Sequence, residues 1–221
     1  MNHKNFLMKK IILSLLLTVV MILSCSKNKP ETIVLKDSAE MMSVKNDTAV
    51  TVRKEFSTRS GKKFVIIETK PSISVSNYSV FGIGFVNSDT IKYELKNPMT
   101  TAFLTDLDKN GFEELFIVTK ASGQGNFLDL LGVSSFEDNT FGEILIPEIS
   151  DTDMEKNGKF GGYLGNDSIY ISDNKIIRLF PVYKSSDYNS LPTDVRRKLT
   201  YTLNKSGPKN DLVISGVENL K

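Results

Sequence analysis

The chain has 221 residues, of which 28 are basic, 26 are acidic and one is histidine, giving a formal charge of +2. So even a balance offers no electrostatic case for nucleic acid as a partner. The only histidine is His3 and the only cysteine is Cys25, which removes Ser-His-Asp triads, Cys-His pairs, His-ligated zinc and disulfides from everything downstream.

Residues 1–24 are expected to be a secretory signal. Lys4, Lys9 and Lys10 form a basic start, Ile11 to Leu23 is an apolar run of 13 residues, and Ser24 precedes Cys25. This arrangement resembles a bacterial lipoprotein signal, in which the cysteine becomes the acylated first residue. The apolar run is short for crossing a ~30 Å hydrocarbon core. Removing the signal leaves 25 basic against 26 acidic residues, a net charge of −1. Residues 25–48 then read as a lipid anchor and tether: they are polar, mixed in charge and without sustained periodicity, apart from an alternative short helix over Ser38 to Val44. The lipid would place the protein in the bacterial cell envelope, attached to a membrane and facing the periplasm or the cell surface.

Residues 49–221 suit one domain and read as strands. Ala49 to Ser57 and Lys63 to Thr69 flank the turn Arg59-Ser60-Gly61. Ile73 to Val86, Thr90 to Leu95, Leu115 to Thr119, Phe127 to Phe136 and Phe141 to Ile146 follow. A turn or two of helix fits near Ser150 to Lys156. Ile169 to Ile171 and Ile176 to Tyr183 flank the turn Ser172 to Lys175, and Leu199 to Leu203 and Leu212 to Val217 close the chain. Short strands with frequent turns predict an all-β, antiparallel, sandwich-like domain. Ile176-Ile177 and Leu179-Phe180 read as a core strand and Arg196-Arg197-Lys198 as a solvated charge run. Tyr183, Tyr188 and Tyr201 are candidates for an interface or for half-buried strand positions.

Chemistry concentrates in Thr105 to Phe127, TDLDKNGFEELFIVTKASGQGNF. Asp106, Asp108, Asn110 and Glu114 stand at positions 1, 3, 5 and 9 of a calcium-loop spacing, with Gly111 at the sharp turn and the Phe112 carbonyl as a further oxygen. Position 12 is Ile117, inside a strand, so an EF-hand is excluded. The alternatives are a Ca²⁺ turn of the kind found in FG-GAP repeats, here in one copy, and an Asx-rich turn whose carboxylates cap backbone N–H groups without metal.

The same stretch, with two others, resembles the periplasmic inhibitors of invertebrate-type lysozyme. That family reads roughly as an Asp-Leu-Asp-Gly-Asp-Gly turn, a strand, then Ser-Ala-Gly-Ser-Gly-Ser-Tyr. Upstream, Glu68 to Val80 (ETKPSISVSNYSV) is similar to the family's first core strand. Downstream, Gly162 to Thr193 is similar to a segment of many relatives, so the likeness covers about Phe64 to Leu203. It implies a lipid-anchored inhibitor, not an enzyme, whose partner is a lysozyme. The Gly-rich loop Ser122, Gly123, Gln124, Gly125, Asn126 and Phe127 would enter the lysozyme cleft, where the family presents a serine and a tyrosine to catalytic carboxylates. Ala121, Ser122, Gly123 and Gly125 fall on that pattern. Gln124 replaces the key serine, Phe127 replaces the tyrosine, and Asp194-Val195 stands where relatives carry Gly-Gly. The same fold binding another envelope ligand, glycan or protein, is the alternative, as is a calcium-stabilised structural module.

Overall fold

A computed structural model describes residues 43–46, 49–87, 89–185, 189–206 and 209–221. The segment expected to be a signal, Cys25 and Tyr188 lie outside the described residues. The described chain is all-β, with thirteen strands and one four-residue helix.

The first five strands are β1 (Ser43–Asn46), β2 (Ala49–Ser57), β3 (Lys63–Ser72), β4 (Val75–Ile83) and β5 (Ile91–Lys96). They form a five-stranded meander in sequence order. β1 falls inside the stretch expected to be tether, where its backbone pairs antiparallel from Ser43↔Val52 to Asn46↔Ala49. Only two residues separate β1 from β2, so closing this hairpin costs little loop entropy and needs no strong apolar pattern.

The second sheet contains β6 (Met99–Thr105), β7 (Glu114–Lys120), β8 (Leu128–Phe136), β9 (Thr140–Leu145), β10 (Ser168–Ser172), β11 (Lys175–Tyr183), β12 (Pro192–Ser206) and β13 (Lys209–Leu220). Its order is β10-β11-β12-β13-β9-β8-β7-β6, and it curls until nearly closed. Not every pairing is antiparallel: β13 meets β9 in parallel at Asn210↔Ile144 and Asp211↔Leu145. The buried Asn210 amide donates to Ser134 Oγ at 2.6 Å and fixes that junction. The helix α1 (Asp151–Met154) is capped by Ser150, which Asp153 answers in a capping box.

β7 shows how the sequence builds two cores at once. Side chains alternate across a strand, and β7 is buried on both faces through Thr119. Leu115 and Ile117 join Phe64, Ile66, Tyr78, Val80 and Tyr93 between the two sheets. Phe116 and Val118 instead join Ile144, Ile176, Phe180, Leu199 and Leu212 inside the curled sheet. Across the sheets, Glu113 Oε2 accepts from Arg59 N at 2.7 Å, tying the β2–β3 turn to the start of β7.

Candidate functional site

The Ser122–Phe127 loop joins β7 to β8. Its ends close through Ala121 N donating to Phe127 O at 2.9 Å. Ser122, Gly123, Gln124 and Asn126 are exposed, whereas Phe127 is half-buried. The Phe127 ring packs edge-on against Tyr163, centroids 5.4 Å apart, and joins the inner core. Phe127 therefore anchors the loop, while Gln124 stands at its exposed tip.

The loop rests on the 162–167 turn. Asn166 N donates to Gly125 O, and Asn126 Nδ2 donates to Asn166 Oδ1 at 3.0 Å. Asn166 Nδ2 in turn donates to Tyr183 Oη at 2.9 Å. The approach is close enough that a side chain at Gly165, where φ is +80°, would strike the Gly125 carbonyl. Beneath the turn, Arg178 Nε lies 2.6 Å from Asp167 Oδ2 with both side chains buried. Arg178 Nη2 also donates to Tyr163 Oη at 2.7 Å, and the guanidinium carbon sits 5.1 Å from the Tyr163 ring centroid. Burial is the main reason the Tyr163 hydroxyl is pushed well above its ordinary pKa, so it stays a neutral member of this network.

On its other side the loop borders a groove of about 320 Å³ lined by Ile73, Pro98, Met99, Thr100, Lys120 and the loop's own residues Ser122, Gly123 and Asn126. Ile73, expected to begin a strand, instead lies at the β3–β4 tip and is 94% exposed. That hairpin is fixed by the buried Glu68, whose Oε1 accepts from Ser76 Oγ at 2.7 Å, Met99 N at 3.0 Å and Tyr78 Oη at 3.2 Å. Parts of all three sequence stretches singled out above thus meet around one loop.

The acidic turn lies at the opposite end of β7. Asp106 Oδ1 accepts from Asn110 N at 2.9 Å and its Oδ2 from Gly111 N at 3.1 Å. Gly111 has φ +90°, which lets the chain reverse there. Asp108 Oδ2 accepts from Asn110 Nδ2 at 3.0 Å and lies 3.1 Å from Lys205 Nζ. Asn110 Oδ1 accepts from Phe112 N at 2.7 Å, so this side chain braces the turn's backbone. Asn174, in the β10–β11 turn, donates to Asp106 O at 3.0 Å. Glu114 is wholly buried; its Oε2 accepts from Leu107 N at 2.8 Å, and no described group bonds Oε1. Burial, reinforced by Asp108 and Asp106 and opposed by the Leu107 N–H, pushes the Glu114 carboxyl up to about 8.

One carboxylate oxygen from each of Asp106, Asp108 and Glu114 lies within 4.8 Å of the others, so the three could hold a metal ion. Oxygens bound about 2.3–2.6 Å from a common Ca²⁺ can be up to about 5 Å apart. Both the Asx-turn bonds and this convergence are present in the one turn.

Other expectations fall into place around these sites. Ile176, Ile177 and Phe180 are buried, with Leu179 partly so. Tyr201 is core, and Tyr183 is half-buried at the edge of the loop's support. Arg197 is more than a solvated charge, since Nη1 donates to Gly158 O at 2.9 Å and Gly161 O at 3.2 Å. Sequence reasoning missed the Arg178–Asp167 pair, which matches no motif. It also missed a cleft of about 830 Å³ near the short β9–β13 junction, lined in part by Tyr93, Ile146, Phe160, Tyr201 and Val213. Comparison of the chain with protein-family models, curated proteins and solved structures gives no match.

Proposed function

We propose that the protein is a binding protein of the bacterial envelope that inhibits a lysozyme by inserting its Ser122–Phe127 loop into the enzyme's cleft. The observation that carries this reading is the contrast within the loop: an exposed polar tip on a support built from a buried ion pair. A loop held in this way has little conformational entropy left to lose on binding. Glycosidases of the usual kind carry two carboxylates at the scissile bond, and the Gln124 amide and Ser122 hydroxyl are donors suited to them. The lipidated Cys25 would hold the inhibitor at the membrane, where it can protect peptidoglycan. The test is a pull-down of the protein against lysozymes of the three animal types, with an activity assay on each; retention and inhibition of the invertebrate type are expected. Retention of another envelope component without inhibition would favour the same scaffold serving a different ligand.

A second reading concerns the acidic turn and is favoured by one observation, the unbonded Glu114 Oε1. A buried carboxylate oxygen without a donor is costly, and a hard cation shared with Asp106 and Asp108 would satisfy it. The proposed ion is Ca²⁺, whose flexible all-oxygen shell suits a turn that also offers backbone carbonyls such as that of Phe112. Ca²⁺ there would stabilise the domain and take no part in binding at the distant loop. A rise in melting temperature with millimolar Ca²⁺, reversed by chelator, is the expected result.

A further inference from the structure

Lys205 stands apart from the other groups around the acidic turn. It comes from β12, near the end of the β12–β13 hairpin, and is remote in sequence from all three acids. Its Nζ lies 3.1 Å from Asp108 Oδ2, yet the Lys205 side chain is 61% exposed while that of Asp108 is 8% exposed. A lysine held by packing would bury its stem; here attraction to the carboxylate is the contact that brings the ammonium to the turn. Among described groups, Lys205 is also the one cation recorded within salt-bridge reach of Asp106, Asp108 or Glu114.

We propose that Lys205 is a tethered counter-ion that Ca²⁺ displaces when it binds Asp106, Asp108 and Glu114. The inference rests on the reading of the turn as a Ca²⁺ site and adds the group that regulates it. Two features make the exchange feasible. Glu114 Oε1 is buried and has no described partner, so an incoming ion gains an acceptor that the lysine does not use. The exposed lysine can swing into solvent without opening a cavity, so leaving costs only a weak, water-screened ion pair. An ammonium and a divalent ion held on the same Asp108 carboxylate repel each other, which favours departure of the lysine.

The exchange lowers Ca²⁺ affinity by the strength of the lysine contact. It also releases the Lys205 side chain from the turn whenever the ion is present. Any acylation that neutralises the Lys205 amine would mimic displacement and raise affinity for the ion.

The experiment titrates Ca²⁺ calorimetrically into chelator-treated protein as wild type, Lys205→Met and Glu114→Gln. In parallel, acylation of the Lys205 amine by a soluble amine reagent is followed by mass spectrometry with and without Ca²⁺. We expect Lys205→Met to bind about two- to fivefold more tightly than wild type, the range of a largely exposed ion pair. Glu114→Gln should bind far more weakly, and Ca²⁺ should speed Lys205 acylation in the wild type. Saturable binding by wild type with equal or weaker binding by Lys205→Met overturns displacement and leaves the Ca²⁺ site standing. Tighter binding by Lys205→Met with unchanged Lys205 acylation also overturns it, since the charge would then act without moving. No saturable binding by either protein at millimolar Ca²⁺ overturns the site and the exchange together.

Discussion

Arg178 and Asp167 grip both backbone groups of Leu128, the first residue after the exposed loop. Arg178 Nη2 donates to Leu128 O at 2.6 Å, and Leu128 N donates to Asp167 Oδ1 at 3.2 Å. The ladder between β8 and β9 begins only at Gly132, so the buried ion pair takes the place of a missing strand neighbour. Removing one partner should therefore be expensive. Arg178→Met leaves the Asp167 carboxylate buried and unpaired, and a loss of about 3–5 kcal/mol is expected from a denaturant titration. The double change Arg178→Met with Asp167→Leu should recover much of that loss, yet amide exchange at Leu128 and through the loop should remain faster than in the wild type.

Gly165→Ala tests the contact between the loop and the turn beneath it. The substitution adds a Cβ at φ +80° against the Gly125 carbonyl, so both backbone strain and collision oppose it. A loss of about 2 kcal/mol or more is expected. Resonances of residues 123–126 should shift more than those of the five-stranded sheet. Gly61→Ala has φ +84° but nothing within 4 Å, so it isolates the strain and should cost less.

Phe127→Ala separates anchoring from contact. The ring is half-buried and packs on Tyr163, so about 1–3 kcal/mol of stability should be lost, less than for a fully buried phenylalanine. Gln124→Ala, at the exposed tip, should leave the unfolding midpoint unchanged within about 0.5 kcal/mol.

The acidic turn makes a pH prediction. Glu114 titrates near 8 in the folded protein against 4.5 as its ordinary value. Between those values the folded chain holds more protons at this site than the unfolded chain, so this contribution to stability falls as pH rises through that window. Below pH 4.5 it is fully present, and above 8 it is lost. Protein kept in chelator should show this decline in its melting temperature. Ca²⁺ requires the ionised carboxylate, so saturating Ca²⁺ should offset the decline towards pH 8, and Glu114→Gln should abolish both effects.

Much of this architecture could be read from the sequence, because the strongest strands carry their own signals. Ile176 to Tyr183 is apolar apart from Arg178 and bounded by a turn whose Asp173 and Asn174 both take positive φ, as two-residue hairpins prefer. β6 was not legible: Met99–Thr105 lies at the sheet edge with largely exposed threonines in its first half, so its pattern is weak. β12 begins at Pro192, seven residues before the apolar run that marks it, because the charged and polar residues there join the ladder through their backbone without an apolar alternation to announce it. In the candidate site, Asp106, Asp108 and Glu114 were legible through their spacing. Asn110 shares that spacing but braces the turn. Arg178, Asp167 and Gly165 were not legible, since their roles arise from long-range packing onto the loop. Phe127 was legible as a loop residue, but only its packing on Tyr163 shows that it faces inward.

An inhibition titration of an invertebrate-type lysozyme, comparing wild type with Gln124→Ser, tests the central claim most directly. Phe127 faces the inner core, so the exposed position 124 is where a hydroxyl contact can be restored, and a hydrogen bond to a charged acceptor contributes about 1.5–3 kcal/mol. The account predicts saturable inhibition by the wild type and tighter inhibition by Gln124→Ser, by about tenfold. Absence of both inhibition and binding for the two proteins at high micromolar concentration would contradict it.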